Sequence, residues 1–107
     1  MAKINEKKVQ EMQILEQNLQ NLMFQKQAFQ MELSETQAAL REIENSGDEV
    51  YKIIGQLMIK SEKNKVKDEL LNKEKIIELR IKSIEKQEDS FAEKLEELRE
   101  EFLNRQK

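Results

Sequence analysis

The chain has 107 residues, of which 38% are charged and 37% hydrophobic, and its formal net charge is −3. The apolar fraction is low for a compact globule of this length, so we expect an elongated or assembled protein. The chain contains no His and no Cys, which removes the usual general base, the thiolate nucleophile, the common zinc ligands and any disulfide. We therefore expect no enzyme activity, no catalytic residue, no cofactor and no metal site.

The composition also bears on where the protein works. The N-terminal residues lack the apolar core of a signal peptide, and no apolar run approaches the roughly 18 residues of a membrane-spanning helix. Acidic and basic residues are interleaved, which gives no electrostatic reason to expect nucleic acid or anionic lipid as a partner. These features predict a soluble, cytoplasmic protein.

The first predicted element is a long helix over about residues 5–45. Apolar residues recur in it at alternating intervals of three and four, the repeat of about 3.5 residues that is typical of a coiled-coil seam. Lys26 and Thr36 are its polar members. The seam positions are Met12, Leu15, Leu19, Leu22, Lys26, Phe29, Leu33, Thr36, Leu40 and Ile43. The run Asn45-Ser46-Gly47 predicts the end of the helix.

A β-hairpin is predicted next, over about residues 49–61. Two short runs rich in β-branched and apolar residues flank Gly55-Gln56, and a type II′ turn has Gly at its first central position. An isolated hairpin is marginally stable and exposes unpaired backbone groups, so we expect it to pair with strands of other chains and to drive oligomerisation. A plain loop, the alternative, needs fewer β-branched residues. The predicted assembly residues are Val50, Tyr51, Ile53, Ile54, Gly55, Leu57, Met58 and Ile59.

A second long helix is predicted over about residues 64–105. Its seam has the same alternating spacing, with Glu74 and Glu88 as polar members. The seam positions are Leu70, Glu74, Ile77, Ile81, Ile84, Glu88, Phe91, Leu95, Leu98 and Phe102. The two helices are therefore of similar length.

The two seams match as an antiparallel pair. Pairing residues whose numbers add up to 110 aligns them layer by layer, places Lys26 and Glu88 in neighbouring layers and centres the turn on Gly55. Registers shifted by one heptad also match the seams but move the turn away from this glycine. The predicted fold is mainly α: a long antiparallel two-helix coiled coil with one β-hairpin at the fold-back, in a single domain over residues 1–107.

Several stretches resemble the β-class subunit of archaeal prefoldin. They are Val50-Tyr51-Lys52, Leu57-Met58-Ile59-Lys60, Lys67-Asp68-Glu69-Leu70 and the segment 79–88. The resemblance implies a hexamer of two α-class and four β-class subunits, with the hairpins forming intersubunit β-barrels. It also implies an ATP-independent chaperone that holds unfolded client proteins at the distal coiled-coil tips and delivers them to a group II chaperonin.

A client-binding tip requires apolar surface at the free ends of the helices, because burying such surface drives the capture of unfolded chains. The candidates are Ile4, Val9, Met12, Leu95, Leu98, Phe102 and Leu103. Closure of the coiled-coil end would also explain Met12, Leu98 and Phe102 taken singly. The alternative function is a structural coiled-coil scaffold or assembly subunit that holds no clients.

Overall fold

The computed structural model describes residues 2–106, and the side chains of residues 6–104. Its elements in chain order are helix α1 (Ala2–Asn45), strand β1 (Glu49–Ile54), strand β2 (Leu57–Glu62) and helix α2 (Lys63–Gln106). The predicted fold of two long helices joined by an antiparallel β-hairpin is confirmed. Helix α2 begins one residue earlier than predicted, because β2 continues into it without a loop.

Contacts within the chain divide it into two units, which we describe separately. The terminal unit contains Met1–Ala28 and Ile81–Lys107, and the hairpin unit contains Phe29–Arg80. Both helices contribute to both units. The single domain over residues 1–107 stays a prediction.

The terminal unit is organised around the seam. Leu15 and Leu22 of α1 and Ile84 and Leu95 of α2 are each at most 7% exposed. Full burial of such a side chain contributes roughly 1.5–3 kcal/mol relative to its exposure, so these four positions supply much of the stability of the unit. The remaining predicted seam positions in this unit are half-buried, including the polar Lys26 and Glu88.

The hairpin unit also has buried seam positions. Ile43 and Ile77 are buried, and Thr36 is buried as well, at 3% exposure. The Thr36 hydroxyl donates a 2.8 Å hydrogen bond to the backbone carbonyl of Glu32 one helical turn earlier, which satisfies its polar group locally. The Arg80 guanidinium lies 5.6 Å from the centre of the Phe29 ring, a cation–π contact.

Contacts between the helices agree with the predicted register. In the terminal unit Lys8 forms an ion pair with Glu101, and the two residue numbers add up to 109. In the hairpin unit Glu44 forms an ion pair with Lys67, and the two residue numbers add up to 111. A shift by one heptad would move both totals by seven, so these pairs favour the alignment centred near Gly55.

Helix α1 ends where the Asn-Ser-Gly run predicts. The backbone N–H of Ser46 donates to the carbonyl of Ile43 at 3.3 Å, and the Ser46 hydroxyl donates to the same carbonyl at 2.8 Å. These bonds satisfy a carbonyl that the last helical turn leaves without an intrahelical partner. Over the residues described, neither α1 nor α2 has an apolar stretch long enough to cross a membrane.

Candidate functional site

The hairpin turns at Gly55-Gln56, between the paired residues Ile54 and Leu57. Gly55 has a φ of 61°, and no non-glycine residue described has a positive φ. A positive φ at the first central position alone is typical of the predicted type II′ turn, whereas type I′ requires it at both central positions. The turn glycine therefore sets the geometry that brings the two strands together.

The hairpin presents apolar side chains on both of its faces. Because side chains alternate along a strand, and directly paired residues share a face, the pairing defines two faces. The tyrosine face consists of Glu49, Tyr51, Ile53, Met58, Lys60 and Glu62. The valine face consists of Val50, Lys52, Ile54, Leu57, Ile59 and Ser61. Neither face is covered at the turn end, so the hairpin has more apolar surface than its own helices bury.

Exposure values identify where the uncovered apolar surface lies. On the tyrosine face Ile53 is 73% exposed and Met58 68%, and on the valine face Leu57 is 66% exposed. Val50, at the helix end of the valine face, is half-buried. Every large apolar assembly residue from Tyr51 to Ile59 is thus exposed, as an interaction surface requires.

Polar contacts attach the hairpin to the ends of the two helices. Lys52 of β1 forms an ion pair with Glu69 of α2. The Lys63 ammonium, at the start of α2, donates a 2.8 Å hydrogen bond to the backbone carbonyl of Ser46 beyond the end of α1. These contacts hold the helix end of the hairpin in place while its turn end projects uncovered apolar side chains.

A groove of about 450 Å³ lies where β1 leaves the helices, and we call it the base groove. Its lining is mainly apolar, with Glu42 and Glu49 as charged members. It is lined by Ala39, Glu42, Ile43, Ser46, Glu49, Val50, Tyr51, Val66 and Leu70. Sequence reasoning did not identify this groove. The small residue Ala39, next to the seam position Leu40, is the signal that could have indicated it.

A second groove, of about 360 Å³, lies in the terminal unit, and we call it the terminal groove. It is lined by Val9, Met12, Gln13, Glu16, Arg99, Phe102 and Leu103. Four of the seven predicted tip residues thus line one groove. Glu16 and Arg99 are joined across the helices by a hydrogen-bonded ion pair of 3.1 Å.

The predicted tip residues differ widely in exposure. Leu103 is 59% exposed, whereas Leu95 is only 6% exposed and belongs to the seam. Val9, Met12, Leu98 and Phe102 are half-buried. The Ile4 side chain lies outside the described residues. The accessible apolar surface here therefore comes mainly from Leu103 and the half-buried groove residues.

Ile14 is an exposed apolar residue that sequence reasoning missed. It is 57% exposed and lines a further depression of the terminal unit together with Leu15, Phe91 and Leu98. Ile14 directly precedes the seam residue Leu15 and is not itself a seam position, and this could have indicated that it is exposed. The off-seam residues Met23 and Phe24 of the same unit are also exposed.

The chain is similar to known proteins over most of its length. A family model described as Prefoldin subunit matches residues 6–107. The prefoldin subunit beta of Thermococcus onnurineus is 42% identical over 85 residues, which cover 78% of this chain and 73% of that protein. The prefoldin subunit beta of Archaeoglobus fulgidus is 34% identical over 98 residues, which cover 90% of this chain and 84% of that protein.

A solved structure shows the same fold. The crystal structure of the prefoldin beta subunit from Thermococcus strain KS-1 matches with a TM-score of 0.86 and 36% sequence identity. The match covers 94% of this chain and 90% of the crystallised chain. Sequence and fold thus lead to the same family.

Proposed function

The chain belongs to the prefoldin family as a β-class subunit, and from this membership we propose that it works in an ATP-independent chaperone that holds unfolded proteins. The clients bind at the terminal unit, where the predicted tip residues lie. The complex then delivers them to a group II chaperonin in the cytoplasm. No nucleotide, metal or other cofactor takes part in holding.

The terminal groove is the observation that carries this proposal. It places Val9, Met12, Phe102 and Leu103 around one partly open, mainly apolar depression. An unfolded chain exposes apolar side chains along its length, and burying them in such a depression contributes roughly 25 cal/mol per Å². The groove is small, so one subunit contributes a weak site and several subunits together hold a client by multivalent contact.

The hairpin unit supplies the assembly. Its exposed apolar residues on both faces, and its two strand edges, support pairing with the hairpins of other prefoldin subunits. We propose the family arrangement of two α-class and four β-class subunits, with the hairpins closed into β-barrels. Closure of a sheet into a barrel removes the open edges that a lone hairpin retains.

A scaffold without client binding is the alternative function. The burial of Leu95 and the half-burial of Met12, Leu98 and Phe102 favour it, since these residues pack in the seam of the terminal unit. The two functions predict different behaviour when apolar groove residues outside the seam are made polar.

The test uses the double variant Val9→Gln/Leu103→Gln in the assembled complex with an α-class partner. Both residues lie off the seam, so the helices should pair as before. We expect the variant complex to keep its mass and to lose most of its suppression of the aggregation of a chemically unfolded protein. Unchanged suppression by a complex of native mass would contradict client binding at this groove.

A matched control is Leu79→Gln, which makes a similarly exposed leucine of the hairpin unit polar. We expect this control to suppress aggregation as well as the wild type. Loss of suppression in the control alone would indicate that clients bind to the helices of the hairpin unit instead.

Delivery is tested separately, by measuring refolding yield with a group II chaperonin after the client has been loaded on the complex.

A further inference from the structure

A stripe of uncharged residues runs along α1 in the terminal unit, on the side of the helix opposite the seam. Its members recur at alternating intervals of three and four, as the seam positions do, and all of them are exposed. We call it the neutral stripe, and it consists of Gln10, Gln13, Gln17, Gln20, Phe24 and Gln27. Every member except Phe24 carries a side-chain amide, and Phe24 is 56% exposed.

The equivalent stripe of α2 in the same unit is highly charged. Its residues are exposed as well, and every one except Leu103 carries a charge. They are Lys82, Lys86, Asp89, Glu93, Glu96, Glu100 and Leu103. Gln forms helices about as well as Glu and Lys do, so helix formation does not explain why α1 has glutamines at these positions. The contrast between the two helices therefore indicates a contact made by α1.

The neutral stripe begins at the terminal groove. Gln13 lines that groove, and Gln10 lines an adjoining depression together with Val9 and Phe102. From Gln13 to Gln27 the stripe extends about 21 Å along the helix, at 1.5 Å per residue. About six residues of an extended chain have this length. A segment that lies in the terminal groove can therefore continue along the stripe.

The amide groups of the neutral stripe are suited to bind a polypeptide backbone. None of its glutamine side chains forms a hydrogen bond with another described residue. Each amide has a carbonyl that accepts hydrogen bonds and an NH₂ group that donates two. An unfolded chain likewise has an N–H donor and a C=O acceptor at nearly every residue, whatever its sequence. A charged stripe suits this contact less well, because a carboxylate only accepts, an ammonium only donates, and covering either one costs desolvation energy.

We propose that the neutral stripe binds the main chain of an extended client segment that continues from the terminal groove. The amides of Gln17 and Gln20 exchange hydrogen bonds with the backbone of the segment, and Phe24 packs against one of its apolar side chains. This contact rests on the client binding proposed above and extends it to a second surface. Because backbone groups are common to all proteins, the contact does not depend on the sequence of the client.

Removal of the two amides tests the backbone contact in the assembled complex with an α-class partner. The probe is a labelled, unstructured and uncharged peptide of about 12 residues, enough to occupy both groove and stripe. It is compared with an analogue in which ester bonds replace alternate peptide bonds and so remove N–H donors. We expect the wild-type complex to prefer the peptide by about 2- to 10-fold for each hydrogen bond lost. Gln17→Ala/Gln20→Ala should bind the peptide more weakly and lose most of this preference, as measured by fluorescence anisotropy.

The matched control is Glu93→Ala/Glu96→Ala, which truncates two side chains at the equivalent positions of α2. We expect this control to keep the wild-type affinity for both peptides. A preference that stays unchanged in Gln17→Ala/Gln20→Ala would overturn the proposal. An equal loss of preference in the control would overturn it as well, since the effect would then not belong to the neutral stripe.

The contribution of Phe24 is tested with a variant of its own. Phe24→Gln should weaken binding of the peptide and of the ester analogue by a similar factor, because an apolar contact does not involve the N–H donors. Ile14→Gln is the control, since Ile14 is exposed to the same extent, at 57%, but lies off the stripe in a separate depression. Equal weakening by both variants would contradict a specific role of Phe24.

The outcomes for the neutral stripe and for the terminal groove can be told apart. If Val9→Gln/Leu103→Gln loses suppression of aggregation while Gln17→Ala/Gln20→Ala keeps the wild-type preference, the proposed function stands and the stripe contact is wrong. If the groove variant keeps full suppression and the glutamine variant loses the preference, clients bind at the stripe and the proposed groove is wrong.

Discussion

Lys26 donates a 2.8 Å hydrogen bond from its Nζ to Oε1 of Glu88, inside the apolar seam of the terminal unit. Both side chains are about one-fifth exposed, at 23% and 20%. The hydrogen bond to Glu88 raises the pKa of Lys26 above its ordinary value of 10.5. The contribution of this shift to stability is therefore fully present below pH 10.5 and is lost as the pH rises through the raised pKa.

Replacement of Lys26 by Met tests the pair. We expect Lys26→Met to lower the thermal midpoint, because Glu88 keeps its charge in the seam without its partner. The double variant Lys26→Met/Glu88→Met should recover or exceed the wild-type midpoint, since it replaces the pair by apolar side chains of similar length. Lys86→Met, at an exposed position of the same unit, is the control and should change the midpoint little. A single variant as stable as the wild type would show that the pair is dispensable.

Two adjacent isoleucines of α2 allow the contribution of the seam to stability to be measured. Ile77 is 3% exposed, whereas Ile76 is 51% exposed. We expect Ile77→Ala to lower the free energy of unfolding by about 2–5 kcal/mol through the cavity it leaves. Ile76→Ala, which removes the same atoms, should change it by less than about 0.5 kcal/mol. Urea-induced unfolding followed by circular dichroism at one chain concentration gives both values, and similar losses would contradict the observed seam.

The two glycines make a second matched comparison. Gly55 has a φ of 61°, whereas the φ of Gly47 is not positive, and an added Cβ would meet no atom within 4 Å at either position. Gly55→Ala should therefore cost about 1–3 kcal/mol through backbone strain alone. Gly47→Ala should stay within about 0.5 kcal/mol of the wild type. Chemical unfolding of both variants measures the difference, and an equal effect would argue against the turn.

The ion pair of Glu44 with Lys67 should make the stability of the folded chain depend on pH. The hydrogen bond from Lys67 lowers the pKa of Glu44 below its ordinary value of 4.5. Because the folded-state pKa is the lower one, the pair contributes its stability above pH 4.5 and loses it as the pH falls through the folded-state pKa.

Glu44→Gln should therefore be less stable than the wild type at neutral pH and equally stable in strong acid. Thermal midpoints of both proteins along a pH series measure the difference. Glu42→Gln is the control, because Glu42 is exposed and forms no ion pair among the described residues. A constant difference between Glu44→Gln and the wild type at every pH would contradict the assigned pair.

The heptad pattern predicted much of the fold because it depends on local periodicity. Every seam position from Met12 to Phe102, polar ones included, is buried or half-buried in the structure. Gly55 predicted the turn, since its conformational freedom is a property of the residue itself. The pattern did not separate Leu95, which is buried, from Leu98, which is half-buried, although both are seam positions. That difference depends on how each side chain meets the opposite helix.

The sequence by itself determined which residues form the seams, where the chain turns back and which hairpin side chains lack a cover. These features follow from spacing and residue type within short segments. The tertiary structure alone decided the base groove and the terminal groove, and it decided that Lys67 has an acidic partner while Lys60 has none among the residues described. Grooves and ion pairs form between residues far apart in the chain, so they depend on the packing of the helices and the angle at which the hairpin leaves them, which periodicity does not specify.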